Sequence, residues 1–208
     1  MWVVKLGGSL LGSPELVKWL EVLTRHGDGK IVIVPGGGIF ADAVRESQKL
    51  SNSSDAVAHK MAVMAMDQYA VLMTGLNPAL VAAESELEIA ERGWQHRAIV
   101  WMPSKMVCAD ETIPANWQVT SDSLAAWLAS RLNAQQLILV KSQRPKLEQI
   151  SLERLIRDGM VDEHFGDFSA GQNFRSWIVG KQDHTAFNNG LSQEKLAATG
   201  LPVRCAWN

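Results

Sequence analysis

The stretch Ile31-Val32-Ile33-Val34-Pro35-Gly36-Gly37-Gly38 limits this chain more than any other. Four β-branched residues without polar alternation form a strand that must be covered on both faces, which is how strands of a parallel α/β sheet read. Three glycines follow at its carboxyl end, and Ile39-Phe40-Ala41-Asp42-Ala43-Val44-Arg45 then reads as a helix. Residues without Cβ leave backbone N–H groups free to face an anion, beside a helix N-terminus that carries about half a positive charge. A tight turn that merely needs glycine is the plainer alternative, and three glycines before a helix favour the site.

The opening residues repeat the pattern. Trp2-Val3-Val4-Lys5-Leu6 is a second apolar strand ending in Gly7-Gly8-Ser9. A lysine inside such a strand is costly unless its ammonium finds a partner at the strand tip. Lys5 at a sheet edge, or snorkelling to water, is the other reading. Two neighbouring strands that both end in glycines would form a positive pocket outside the carboxyl edge of the sheet, where open α/β sheets bind ligands.

Further along, Ser13-Pro14-Glu15 has the form of an N-cap, an N1 proline and a first-turn acid, and Leu16, Trp19, Leu20 and Leu23 follow at helical spacing. Ser51–Asp55 can cap a longer helix, about Asp55–Met73. That helix has two apolar stripes, Val57/Met61/Met64/Leu72 and Val63/Met66/Ala70/Met73. A helix apolar on two sides is deeply buried or shared with a partner, and adaptable Met side chains suit both. We expect a homo-oligomer contact there, with plain core as the alternative. His59 and Tyr69 lie on the same helix without evident partners. A helical segment over Glu84–Glu91 ends at Gly93. Ala98–Trp101 is a strand, Thr120–Ala129 caps and begins a helix, and Leu137–Val140 is another apolar strand. In the last third, Leu152–Arg157 and Gln193–Ala198 read as helices, and Trp177–Val179 and Pro202–Trp207 as strands. Strands alternating with helices predict a three-layer αβα sandwich around a mainly parallel sheet. No linker or repeat divides the 208 residues, so one domain over 1–208 is expected.

A net charge of −2 gives no general reason to bind nucleic acid or an acidic membrane, and no apolar run approaches the ~20 residues needed to span a bilayer. No signal peptide is evident. Cys108 and Cys205 lack metal-ligand spacing and are expected to be reduced thiols of a cytoplasmic protein. The five histidines also lack ligand spacing, against a metal hydrolase. The scattered tryptophans suit core and subunit contacts better than a stacking platform.

Among glycine motifs, a phosphate loop ending in Gly-Lys is absent. Gly36-x-Gly38-x-x-Ala41 fits the dinucleotide fingerprint loosely, yet the acid at the required distance, Asp55, begins a helix instead of ending a strand. Taken together, Val3-Val4-Lys5-Leu6-Gly7-Gly8-Ser9, Ile33-Val34-Pro35-Gly36-Gly37-Gly38 with Ala41-Asp42 and Arg45, and Thr120-Ser121-Asp122-x-Leu124-Ala125-Ala126 resemble the amino acid kinase family over about the first 140 residues. The resemblance implies an acceptor-binding part at about 1–135 and a shortened nucleotide-binding part at about 136–208. It implies ATP as phosphoryl donor, with Mg²⁺ held mainly by the nucleotide phosphates. Lys5 would then neutralise the phosphoryl group in flight, with Gly7, Gly8 and Ser9 at the nucleotide's phosphates. Gly36, Gly37 and Gly38 would cradle the acceptor with Thr120 and Ser121, Arg45 would hold its anionic group, and Asp122 would order the lysine heads.

The chain departs from the family after Val140, where Lys141-Ser142-Gln143-Arg144-Pro145 stands in place of an acidic Thr-Asp-Val-Asp-Gly. Gly159-Met160 is present, but the lysine that usually follows is not. Lys141 is our first candidate for that second lysine, and Lys181 the second. With Asp67-Gln68-Tyr69 and Trp117-x-Val119-Thr120-Ser121-Asp122, the chain looks most like the small branch linked to methanofuran biosynthesis. That branch phosphorylates an aminomethylfuran-methyl phosphate to the diphosphate. Uridylate, a carbamate or an acyl amino acid are competing acceptors, and a non-catalytic phospholigand sensor on the same fold is the rival from another class.

Overall fold

The computed structural model describes residues 1–145 and 150–204, and within these the side chain of Arg204 is left aside. Cys205, Trp207 and the last part of the predicted final strand lie outside the described residues. Eight strands form one sheet: β1 (Trp2–Leu6), β2 (Ile31–Pro35), β3 (Leu80–Ala83), β4 (Ala98–Trp101), β5 (Gln136–Lys141), β6 (Ile150–Ser151), β7 (Arg175–Gly180) and β8 (Leu201–Arg204). Their order is β3-β4-β2-β1-β5-β7-β8-β6, and the β7–β8 pairing is antiparallel while the others are parallel. This is the mainly parallel sheet that the unalternating apolar strands predict.

Nine α-helices are described: α1 (Pro14–His26), α2 (Gly38–Ser51), α3 (Asp55–Leu76), α4 (Glu86–Trp94), α5 (Ser104–Val107), α6 (Ser121–Arg131), α7 (Leu152–Arg157), α8 (Phe165–Ser169) and α9 (Gln193–Thr199). On one side of the sheet, α6 packs on Val3, Val32, Val34, Leu137 and Leu139, joined by residues of α4, α5, α7 and α8. On the other, α1, α9 and the 3₁₀ turn Lys181–Phe187 cover Val4, Leu6, Ile33, Ile138 and Val140. The successive strand residues alternate between the two layers, so Lys5 and Lys141 share the face that α6 covers.

Helix α3 answers the question its two stripes raise. Val63, Met66, Ala70 and Met73 are buried, and they enter both core layers. Val57, Met61 and Met64 stand exposed. One stripe is core and the other faces outward except at Leu72, which packs partly buried against the core, and Ser54 caps the helix through the Val57 N–H.

Some elements differ from expectation. β3 was not foreseen, because four residues ending in Ala-Ala give a weak strand signal; it is set by pairing with β4. Gly93 does not stop α4, which runs to Trp94. Ser13 occupies the N-cap of α1 without a side-chain bond, so Pro14 and Glu15 define that start. α8 and the Lys181–Phe187 turn are too short to carry a readable period.

A candidate phosphoryl-transfer site

β1 lies at the centre of the sheet, with Lys5 opposite Val34 on β2 and Leu139 on β5. Two residues beyond Leu139, Lys141 emerges on the same face. Both ammonium groups point at the first turn of α6, where Asp122 waits. Lys5 Nζ lies 2.8 Å from Asp122 Oδ1 as an ion pair, and Lys141 Nζ donates to Oδ2 at 2.6 Å. Lys5 and Asp122 are both buried. Lys181, the alternative second lysine, instead lies 3.5 Å from Glu15 on α1.

The charges in this cluster settle one another. Burial opposes the Asp122 carboxylate, but Lys5 and then Lys141 overcome it and hold its pKa at about 2. Lys141 moves the other way. Burial first, then the neighbouring Lys5 charge, bring its ammonium down to about 8 despite Asp122. Two cations surround one anion here, and the Asp162 carboxylate also acts on Lys141.

Asp162 is a residue the sequence reading passed over. Its carboxylate accepts the Thr120 N–H at 2.9 Å, the Thr120 hydroxyl at 2.8 Å and the Ser123 N–H at 3.1 Å, and also the Ser123 hydroxyl. Thr120, the N-cap of α6, makes no capping bond with its own side chain. Asp162 therefore caps α6 from forty residues away in sequence and fixes the turn that carries Asp122. The sequence signal was there: an acid after Gly159-Met160 where a lysine was expected.

The N-terminus of α2 is different. Gly37 is its cap and supplies no side chain, so the first N–H groups remain open. The two glycine turns touch: a Cβ on Gly8 would collide with the Gly38 backbone, and one on Gly36 with that of Gly8. Only glycine allows this approach. The N–H groups of Gly7 and Gly36 are spent on Val140 and Leu6 carbonyls. That leaves Gly8, Ser9, Gly37 and Gly38 as the turn residues that face the adjoining cleft.

This cleft has a volume of about 430 Å³ and runs between α2, α3 and the turn before α6. Thr120, Ser121 and Arg45 line it together with Val63, Met66, Val119 and Leu124. Arg45 donates to Asp42 at 2.6 Å and lies 4.6 Å over the Trp117 ring. Trp117 is held in turn by its N–H to Gln48 at 2.7 Å. His59, without evident partners in sequence, also lines the cleft, and Nδ1 lies 3.0 Å from the Asn116 carbonyl oxygen. Burial lowers its pKa and favours the neutral ring. Tyr69, by contrast, is fully buried in the core on the other side.

Among the described residues no three His, Cys, Asp or Glu side chains are grouped to hold a metal ion. Asp122 is committed to two lysines and Asp162 to the α6 cap, so neither is free to ligate one.

Comparison with known proteins shows the family and the fold. Residues 1–144 match the model of the amino acid kinase family. Over 140 residues the chain is 30% identical to [5-(aminomethyl)furan-3-yl]methyl phosphate kinase of Methanocaldococcus jannaschii, a match that covers 67% of this chain and 64% of that protein. The fold resembles uridylate kinase of Archaeoglobus fulgidus, with a TM-score of 0.69 at 16% identity over 98% of this chain and 99% of that one. Aspartate kinase from Synechocystis gives a TM-score of 0.67 at 13% identity over 100% of this chain and 40% of that one.

Proposed function

The chain belongs to the amino acid kinase family, and from this premise we propose that it transfers the γ-phosphoryl group of ATP to a small anionic acceptor bound in the α2–α3–α6 cleft. The observation that carries this reading is the Lys5–Asp122–Lys141 cluster at the carboxyl ends of β1 and β5, with Asp122 in the first turn of α6 beside Thr120 and Ser121, which line the cleft. Phosphoryl transfer needs positioning and charge stabilisation more than covalent chemistry. An acceptor oxygen attacks the γ-phosphorus as the bond to the β-phosphate oxygen breaks. Lys5 and Lys141 neutralise the equatorial oxygens, while the Gly8 and Ser9 turn donates to the same group. Asp122 stays ionised and holds both lysine heads in place. Magnesium held by the nucleotide phosphates would supply charge neutralisation there, with Asp122 and Asp162 left in their bonds to the lysines and to the α6 N-terminus.

The acceptor we favour is [5-(aminomethyl)furan-3-yl]methyl phosphate, converted to its diphosphate in methanofuran biosynthesis. The cleft has room for one small ring, an apolar wall for the furan, and Arg45 with the α2 amides for the phosphate. The reaction is assigned to the cytoplasm, where ATP is available. The exposed α3 stripe of Val57, Met61 and Met64 is the face we assign to a homo-oligomer contact. Sedimentation of wild type and Met64→Glu tests it: a smaller species for the variant supports it, and equal sizes refute it.

The test of function is ADP release from ATP and Mg²⁺ with a panel of small phosphates, uridylate, carbamate and acyl amino acids. Release that requires the furan phosphate and disappears in Lys5→Ala supports the reading. Binding of any panel member without turnover overturns it in favour of a sensor, and turnover of another acceptor overturns the substrate.

A further inference from the structure

We propose that the Nε2 lone pair of His59 accepts a hydrogen bond from an N–H or O–H donor on the phosphoryl acceptor, so that His59 sets which acceptors are taken. This deepens the acceptor reading above and rests on it. The argument begins with the ring's other nitrogen. Nδ1 lies 3.0 Å from the Asn116 carbonyl oxygen, which can only accept, so Nδ1 carries the hydrogen. A neutral ring then leaves Nε2 as a bare acceptor. Burial lowers the His59 pKa and favours that neutral form.

Among the described residues Nε2 has no partner, yet it is not among the atoms sealed from solvent. His59 is a buried residue that lines the cleft. A hydrogen-bond acceptor in an otherwise apolar stretch of wall, between Ala62, Val63 and Met66, is costly to cover with an apolar group. An acceptor with a plain methyl there leaves Nε2 dry and unpaired; one with an ammonium or hydroxyl pairs with it. Such sites reject the analogue that lacks the donor far more strongly than they reject a changed methylene.

Three furan-methyl phosphates carrying aminomethyl, hydroxymethyl or methyl at the 5-position, assayed for kcat/KM, separate the donors. For wild type, the methyl compound is expected to be at least about tenfold poorer than the better of the other two. His59→Asn places an amide N–H near the Nδ1 position and removes Nε2, so it keeps the Asn116 bond and should shrink that gap below about threefold. His59→Gln places an oxygen near Nε2 and should preserve the gap while loosening the loop. Equal use of the methyl compound by wild type, or an undiminished gap in His59→Asn, overturns the proposal. Histidine side-chain ¹⁵N NMR of the protein without ligand decides the tautomer separately: hydrogen on Nδ1 supports it, hydrogen on Nε2 overturns it. If none of the three phosphates is turned over, the acceptor reading has failed, and the NMR result alone then judges His59.

Discussion

The cluster at the tip of β1 and the mouth of the cleft both use charge, in opposite settings. Lys5, Lys141 and Asp122 pack between the sheet and α6, and the charge states of Asp122 and Lys141 depend on their neighbours. Arg45 and Asp42 stand half exposed or more, with water as the third partner. Buried ion pairs are expensive to break because a lone charge is left without solvent. Exposed pairs contribute about 0–1 kcal/mol and are screened by salt. The first arrangement suits stabilising a transient charge, the second suits gripping and releasing an acceptor.

The largest effect should come from the cluster. Lys5→Ala is expected to lower kcat by about 10²–10³-fold with little change in acceptor KM, measured by coupled ADP release. Asp122→Ala should do as much to kcat and also destabilise the fold by about 3–5 kcal/mol in denaturant titration, since two ammonium groups lose their partner. A stable Asp122→Ala protein would remove the contrast between the two regions.

Lys141 gives the pH arm. Its folded-state value of about 8 means that kcat/KM falls as pH rises through about 8, because the required ammonium is lost. Lys141→Arg stays charged and should push that basic limb upward by a unit or more. An unchanged limb would show that another group governs it. Asp162→Asn sharpens the comparison from the side. It weakens the α6 cap by about 1 kcal/mol and should lower kcat about tenfold without changing acceptor KM.

The mouth should respond more gently. Arg45→Ala is expected to raise acceptor KM about tenfold at constant kcat, as one charge-assisted grip is lost. Raising the salt concentration from 0.1 to about 0.5 M should raise KM by only a few-fold and leave kcat unchanged. A comparable fall in kcat would mean that the cluster is wetter than its burial implies.

Much of the cluster was legible in the sequence because each element announces itself locally. A lysine in an apolar strand, glycines at strand ends and an acid in a first helical turn are short-range signals, and parallel register brings them together. Asp162 was legible only as an acid after Gly159-Met160, without its role, and the role of His59 was not legible. Their parts depend on contacts with Thr120, Ser123 and Asn116 far along the chain, and neither spacing nor propensity encodes these. The apolar stripes of α3 were visible, but not which one faces the core. Short elements such as β3, β6 and α8 are set by their neighbours more than by their own residues. The glycine turns read as a ligand loop, and that reading did not include Gly7 and Gly36 spending their N–H groups on the sheet.

The placement of β1 between β2 and β5 has a consequence for biogenesis. β2 follows it closely, whereas β5 begins only at Gln136. At ~5–20 residues per second the ribosome needs on the order of ten seconds to deliver that second neighbour. For that interval the nascent chain holds a greasy ribbon paired along one edge, whose lysine waits for Asp122 until shortly before β5 is made, and chaperone occupancy of ribosome-bound chains should drop once β5 clears the exit tunnel.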